Sequence, residues 1–330
     1  MTKGLVVKTY ACHYYVQLEE QPEIFSGPVI DAVLPGRFRL EHRGDGRTDA
    51  TSGIPSVVVG DSVEIAEKSG SSVIAAVLPR RGVLLRPLIA NVDLVVMVFA
   101  MAAPDPSPLL VDRFLVQVHA NDLAPILCFN KADLVGPDVA QQWERLYSSI
   151  GYRVVVTSAK SGKNIVRLRE YLHGHVACLA GPSGVGKSAL LNQIRPGSNL
   201  TTGAVSTRIG RGRHTTRHAE LLPLTSSAFE TGVAVDAGAN TAPDIAPGWV
   251  ADTPGFSSVD LLAVDEEHLE TCFPEFDPAF LANSCRFARC RHLEEPGCAV
   301  KKAVHDGIIP QSRYESYRAF LEELRRRPKW

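Results

Sequence analysis

The sequence lacks an apolar run long enough to cross a membrane. The longest, LVVMVFAMAA at 94–103, covers about half of a bilayer span. The N-terminal residues MTKGLVVKTYACHYY contain no apolar run that ends in a small-residue cleavage site. We therefore expect a protein of the cytoplasm, or of the equivalent organellar compartment, with no membrane partner.

Net charge is also nearly absent. The 330 residues carry a formal charge of -1, and 45% are hydrophobic and 22% charged, a composition typical of a globular chain of two or three domains. The charges are unevenly distributed, because no acidic residue lies between Glu170 and Glu220. The basic residues of that span are Lys187, Arg195, Arg208, Arg211, Arg213 and Arg217. A second basic cluster, RRRPK, lies at 325–329. Both clusters are compatible with a solvated surface or with binding to nucleic-acid phosphates. No DNA partner is expected.

The seven cysteines do not indicate a disulfide framework. Four stand singly among apolar residues, which is typical of buried thiols in a reducing compartment. These are Cys12, Cys128, Cys178 and Cys272. The other three lie close together near the C-terminus.

The chain divides into three regions with different sequence patterns. Residues 1–88 alternate short β-branched runs with glycine, proline and aspartate, which predicts a small OB-like β-barrel that contacts RNA. Residues 89–260 alternate apolar strands with amphipathic helices, which predicts a parallel sheet covered on both faces. Within them, the Ala/Gly/Thr/Pro segment 226–247 has no clear period and indicates a flexible surface insertion. Residues 261–330 are predicted to be helical.

The segment GPSGVGKS at 181–188 fits the phosphate-binding pattern G-x-x-x-x-G-K-[ST]. An apolar strand precedes it, and KSALLNQI can begin a helix whose N-terminus faces an anion. The alternative is a plain glycine-rich turn between a strand and a helix. The predicted nucleotide-binding residues are Gly181, Pro182, Ser183, Gly184, Val185, Gly186, Lys187 and Ser188, of which Ser188 can also bind Mg²⁺.

The segment NKAD at 130–133 predicts recognition of guanine. The Asp133 carboxylate can accept from the N1–H and the N2 amino group, whereas adenine offers neither donor there. Asn130 would serve the Hoogsteen edge and join the phosphate loop, and the stem of Lys131 would lie along the base. The segment TSAK at 157–160 adds Ser158 and the Ala159 N–H, which can meet guanine O6.

The segment DTPG at 252–255 follows another apolar strand. Asp252 is suited to Mg²⁺, directly or through water, and the Gly255 N–H to the γ-phosphate. In GRGRHTTRH at 210–218, Thr215 or Thr216 can complete the Mg²⁺ site, with Thr216 preferred. The sequence therefore predicts GTP or GDP with Mg²⁺ as ligands.

The order of these motifs is unusual, because the guanine-recognition segment NKAD precedes the phosphate loop. In a conventional GTPase, joining the C-terminal helix to the first strand and placing the new termini after DTPG would give this order. Such a permutation leaves the three-dimensional site intact. We interpret the middle of the chain as a circularly permuted α/β P-loop GTPase.

The combination resembles the ribosome small-subunit-dependent GTPase A family (RsgA) over nearly the whole chain. The matching segments include GPSGVGKSALLN, GRHTT, DTPGF, FPEF and CRFARCRHLEEPGCAV. The resemblance implies that the partners are the small ribosomal subunit and its rRNA, and that the subunit stimulates GTP hydrolysis late in its maturation. The insertion at 226–247 departs from the family, which more often has a tight connection there.

The glutamine that often follows D-x-x-G is missing, since Phe256 stands there. An apolar side chain cannot orient water, so we expect slow hydrolysis until a partner completes the site. His214 is the candidate catalytic residue for positioning water, and the alternative is a histidine that contacts phosphate or RNA.

The spacing C-x₄-C-x-H-x₅-C near the C-terminus suits a closed tetrahedral Zn²⁺ site. Its residues are Cys285, Cys290, His292 and Cys298. The alternative is a chance grouping of thiols, but in the family that the chain resembles these positions match zinc ligands one for one. The role would be structural, and Arg286, Arg289 and Arg291 would face outward.

Two other functions remain possible from sequence. One is an RNA-binding nucleotide switch with negligible hydrolysis. The other is a P-loop ATPase or kinase in which NKAD is accidental.

Overall fold

The computed structural model describes residues 2–20, 27–35, 56–68, 70–85, 88–195, 220–224, 248–252, 264–281 and 283–327. The predicted order of a β-barrel, an α/β layer and a helical C-terminal part is confirmed. The limits at 88/89 and 260/261 stay predictions. Among the described residues, no helix combines the length and the apolarity that a bilayer span requires.

The N-terminal part is a closed five-stranded barrel. Its strands are β1 (Thr2–Tyr10), β2 (His13–Leu18), β3 (Val29–Val33), β4 (Ser62–Lys68) and β5 (Ser71–Val77). The strands pair in the closed order β1-β2-β3-β5-β4-β1, so the ring has no free edge. Only the β3–β5 pair is parallel. Val6, Val16 and Ile74 fill its interior.

One cysteine prediction is wrong. Cys12 lies in the turn between β1 and β2 and is exposed, because a tight hairpin turn leaves no layer of chain to cover it. Cys128, Cys178 and Cys272 are buried, as predicted. A short hairpin, β6 (Val83–Leu85) and β7 (Leu88–Ala90), follows the barrel.

The middle of the chain forms a second sheet segment in the order β10-β9-β8-β11-β13-β12. Its strands are β8 (Leu94–Ala100), β9 (Ala124–Asn130), β10 (Arg153–Val156), β11 (Val176–Ala180), β12 (Glu220–Leu224) and β13 (Gly248–Asp252). All pairs are parallel except β12 with β13. Every residue of β8 is buried, which explains its unbroken apolar run. β12 also meets β1, where Lys8 pairs with Glu220.

Helices cover both faces of this sheet. They are α1 (Pro108–His119), α2 (Pro137–Ser148), α3 (Ile165–Leu172) and α4 (Lys187–Ile194). α1 and α2 pack on one face through residues such as Phe114 and Tyr147, and α3 and α4 pack on the other through Leu168 and Leu190. α1 begins at a proline, and its cap Ser107 accepts from Leu110 N–H.

The C-terminal part is helical, with α5 (Pro278–Leu281), α6 (Ala299–His305) and α7 (Gln311–Arg325). Two 3₁₀ turns, Glu270–Cys272 and Pro274–Phe276, precede them. Phe273, Phe276 and Tyr317 pack ring against ring in its core. α7 lies against α1, which joins this part to the sheet layer.

Candidate functional site

The phosphate loop (181–188) lies between β11, a central strand, and α4. Gly184 and Gly186 have φ of 79° and 95°, a conformation that strains any residue with a Cβ. A Cβ on Gly181 would lie 2.1 Å from Val98 O, so its backbone approaches β8 more closely than alanine could. The glycines of the motif are thus required by the fold of the loop itself.

Lys187 folds back into the phosphate loop. Its Nζ donates to Gly181 O at 2.8 Å and to Pro182 O at 2.6 Å. Burial lowers its pKa. Ser188, the next residue, is exposed in the first turn of α4. A half-buried ammonium and a cluster of loop N–H groups make this a site for an anion.

Asn130 joins three segments at one edge of the sheet. Its side chain is buried, and Nδ2 donates to Val185 O in the phosphate loop at 2.9 Å. Its Oδ1 accepts from the Ala159 N–H at 3.0 Å and from the Thr157 hydroxyl at 3.3 Å. The base-reading loop (130–133) is thereby fixed to both the phosphate loop and the TSAK segment.

Asp133 lies beside Ser158. The Ser158 hydroxyl donates to Asp133 Oδ1 at 2.6 Å, and this bond holds the pKa of the carboxyl below its usual range. The carboxylate is exposed, so it can accept from a base in the neighbouring space. An ionised acceptor there suits the paired donors of guanine and leaves adenine without a match.

Lys131 has a left-handed backbone, with φ of 62°, and its ammonium donates to Ala103 O. The segment 101–107 follows β8 and therefore begins at the same sheet edge as the base-reading loop. A Cβ on Gly184 would lie 3.9 Å from Pro104 Cδ, so this segment also approaches the phosphate loop. No motif singled out this segment, although its position after an apolar strand was a usable signal.

Asp252 is the last residue of β13, the strand next to β11. The register pairs Cys178 with Ala251, so Asp252 stands at the same edge as the phosphate loop. His214, Thr215, Thr216 and Gly255 lie outside the described residues, as does the segment 226–247.

A second group of functional side chains lies in the C-terminal part. The ligand atoms of Cys285, Cys290, His292 and Cys298 all lie within 4.8 Å of one another. Cys285 Sγ is 3.9 Å from Cys298 Sγ and 3.6 Å from His292 Nδ1. Two thiolates on one tetrahedral zinc lie about 3.8 Å apart, given Zn–S bonds of about 2.3 Å, so this cluster fits a metal ion.

The surroundings of the cluster supply N–H donors to two of the sulfurs and orient the imidazole, while burial raises the pKa of the Cys290 and Cys298 thiols. The N–H groups of Ala299 and Lys301 donate to the sulfurs of Cys285 and Cys298 at 3.3 and 3.4 Å. His292 Nδ1 faces the cluster, while its Nε2 lies 3.4 Å from Glu270 Oε2. Glu270, which the sequence did not single out, therefore fixes the ring orientation. Of the three predicted outward arginines, Arg291 is only half exposed, because its guanidinium donates to Glu266 O.

A family model described as RsgA GTPase matches residues 77–237. The curated proteins named small ribosomal subunit biogenesis GTPase RsgA include one from Moorella thermoacetica, 43% identical over 98% of this chain and 97% of the relative. Another, from Carboxydothermus hydrogenoformans, is 40% identical over 98% and 97%.

Solved structures agree over the full length. YjeQ from Thermotoga maritima superposes with a TM-score of 0.75 at 35% identity, covering 99% of both chains. YloQ, described as a circularly permuted GTPase, gives 0.73 at 34% identity over 100% of this chain and 98% of that one. The permuted motif order of this chain therefore agrees with a solved, circularly permuted GTPase, and the chain belongs to the RsgA GTPase family.

Proposed function

We propose that this protein binds the small ribosomal subunit and, when bound, hydrolyses GTP to GDP and phosphate late in the maturation of that subunit. The observation that carries the enzymatic part is the Asn130 side chain, which holds the base-reading loop against the phosphate loop. The ribosomal part is supported by the names of the full-length relatives.

Each predicted ligand residue has a role in this proposal. The base is held by Asn130, Lys131, Asp133, Ser158 and Ala159, and the phosphates by the loop 181–188. Ser188, Thr216 and Asp252 hold Mg²⁺, which neutralises charge on the outer phosphates, and Gly255 N–H binds the γ-phosphate. Lys187 already lies inside the loop, so a phosphate replaces the two backbone carbonyls as its partner.

Water activation is assigned to His214. Phe256 has no group that can orient water, so hydrolysis by the protein alone is slow and docking of the partner completes the site. His214→Ala removes the stimulated turnover and keeps nucleotide and subunit binding, while His218→Ala serves as the control. Unchanged stimulated turnover in His214→Ala excludes this role.

The cluster of three cysteines and one histidine holds one structural Zn²⁺. Four protein ligands leave no open position, so the ion stabilises the C-terminal part and takes no part in hydrolysis. The partner includes rRNA, which the barrel and the basic residues contact. An rRNA partner of this kind places the protein in the cytoplasm.

Sedimentation with purified subunits tests the binding step. We expect the protein to sediment with small subunits in the presence of a non-hydrolysable GTP analogue, more weakly with GDP, and not with large subunits. Equal binding to both subunits, or binding that nucleotide does not affect, contradicts the proposal.

A further inference from the structure

An aromatic side chain is exposed in the loop between two of the cluster cysteines. Phe287 lies between Cys285 and Cys290 and is 45% exposed. It borders a cavity of about 350 Å³, which we name the Phe287 cavity. Ligands bind preferentially in concave pockets lined by apolar and aromatic side chains with a few polar groups, and Phe287 lies at the edge of such a pocket.

The wall of the Phe287 cavity combines apolar side chains with side chains of the metal cluster, and its rim is polar. Cys285, Cys290 and His292 line the side that faces the cluster. Phe273, Phe276 and Leu281 form part of the wall, and Asn283 and Ser284 are exposed on the rim. Two carboxylates also border it, but both serve the local structure. Glu270 lies on His292 Nε2, and Asp277 Oδ1 accepts from the Ala279 N–H at 2.7 Å.

The charge beside Phe287 is positive. The segment 283–291 contains three arginines and no acidic residue. Arg286 and Arg289 are exposed, and the Arg286 guanidinium lies 5.8 Å from the centre of the Phe287 ring. The ring of Phe287 can stack on a planar group, and the guanidinium groups of Arg286 and Arg289 can bind anions on either side of that group.

We propose that the Phe287 cavity takes one unpaired RNA base, stacked on Phe287, with the neighbouring phosphates on Arg286 and Arg289. The amide of Asn283 and the hydroxyl of Ser284 meet the edge of the base. This inference rests on the proposed function, which supplies an RNA-rich partner. An acidic peptide could satisfy the two arginines, but it would bring no planar face to Phe287. Duplex RNA would keep its bases stacked inside the helix.

The cluster explains why this loop can present its side chains. Cys285 and Cys290 flank Phe287 in sequence, and the Arg286 N–H donates to Gly297 O at 3.1 Å. The loop 285–290 is thus fixed at both ends by the cluster cysteines and within it by the backbone hydrogen bond of Arg286. A loop fixed in this way loses little entropy when a base binds.

Fluorescence anisotropy with a labelled single-stranded RNA of about twelve nucleotides tests the assignment on the zinc-loaded full-length protein. We expect Phe287→Ala to weaken binding of this RNA, and of small subunits, by about 5- to 100-fold, the loss of one stacked base. Phe287→Trp retains binding. Phe280→Ala, at an exposed phenylalanine of the same part that does not line the cavity, leaves it unchanged. Arg286→Ala and Arg289→Ala each lower the salt dependence by about one released ion.

Ultraviolet cross-linking to the subunit identifies the occupant. We expect a nucleotide attached to the peptide that contains Phe287. Attachment to a ribosomal protein, or an affinity of Phe287→Ala equal to that of the unmodified protein, overturns the proposal. If the protein binds the short RNA through Phe287 but does not bind small subunits, the proposed function fails and the base site stands. If it binds neither, both fail.

Discussion

Arg313 Nη1 lies 2.7 Å from Asp112 Oδ1, and both side chains are fully buried. The pair joins α7 of the C-terminal part to α1 on the sheet. Arg313 Nε also lies 2.6 Å from Glu275 Oε1, so one guanidinium serves two carboxylates. Asp112 Oδ2 and Glu275 Oε2 have no hydrogen-bond partner among the described residues. This contact is therefore sensitive to the loss of its one positive charge.

Replacing Arg313 with methionine should destabilise the protein strongly. The change leaves two buried carboxylates without a cation, which costs about 3–5 kcal/mol in unfolding free energy. Urea denaturation of the nucleotide-free protein measures it. Arg318→Met, at an exposed position of the same helix, is the matched control and should cost below about 1 kcal/mol. Equal effects of the two substitutions would show that the buried charges do not hold α7 on α1.

Acid should weaken the same contact through His119. Its Nε2 lies 3.0 Å from the Tyr152 hydroxyl, and burial, with a smaller contribution from Arg313, lowers its pKa to about 4. The unfolded chain takes up this proton near pH 6.5, so the stabilisation is complete above pH 6.5 and is lost as the pH falls toward 4.

His119→Gln should remove this pH dependence. Between pH 6.5 and 5, the unfolding free energy of the variant should fall by about 1.5 kcal/mol less than that of the unmodified protein. Denaturant titrations at several pH values measure the difference. His305→Gln, at an exposed histidine, should leave the fall unchanged. A similar fall in His119→Gln would mean that other groups are responsible.

Nucleotide choice should depend on Asp133. GTP and GDP should bind and ATP should not. Asp133→Asn should weaken GDP binding by at least about 100-fold, because the two base donors lose their ionised acceptor. The variant should gain affinity for xanthine nucleotides, whose ring offers an acceptor where guanine has an amino group. Competition against a fluorescent nucleotide measures both changes, with the exposed Asp138→Asn as the control. ATP binding as strong as that of GTP would favour the ATPase or kinase alternative.

The metal site should contain one zinc ion per chain after mild purification. Cys298→Ser should lose the ion, and the exposed Cys12→Ser should keep it. Glu270→Gln should keep the ion but weaken its affinity by about 10-fold, because the carboxylate orients His292 from the second nitrogen. Competition with a chelator measures the affinity, and Glu267→Gln is the control. A zinc-free preparation would contradict the assignment.

The sequence predicted the parts of the site that short motifs define. The phosphate loop, the base-reading loop and the Cys/His cluster have fixed spacings, because neighbouring residues must reach one ligand. The end of each apolar strand also predicted which loops would meet at one edge of the sheet, and the structure brings 130–133, 157–160 and 181–188 together there.

Contacts between distant segments could not be predicted in this way. Arg313 and Asp112 are 201 residues apart in sequence, and each alone resembles a charged residue of a solvated helix face. Their pairing depends on how α7 packs on α1, which no local pattern encodes. Glu270 was missed for the same reason. Cys12 was placed wrongly because apolar neighbours in sequence do not cover a hairpin turn.

The most direct test of the account is the steady-state rate of GTP hydrolysis with and without purified small ribosomal subunits. Lys187→Ala, which lacks the ammonium of the phosphate loop, gives the background from the subunit preparation. We predict slow turnover by the protein alone and a rise of about 10²-fold or more with small subunits, since a completed water-positioning site supplies that much. A rate that small subunits leave unchanged, or that Lys187→Ala reproduces, would contradict the account.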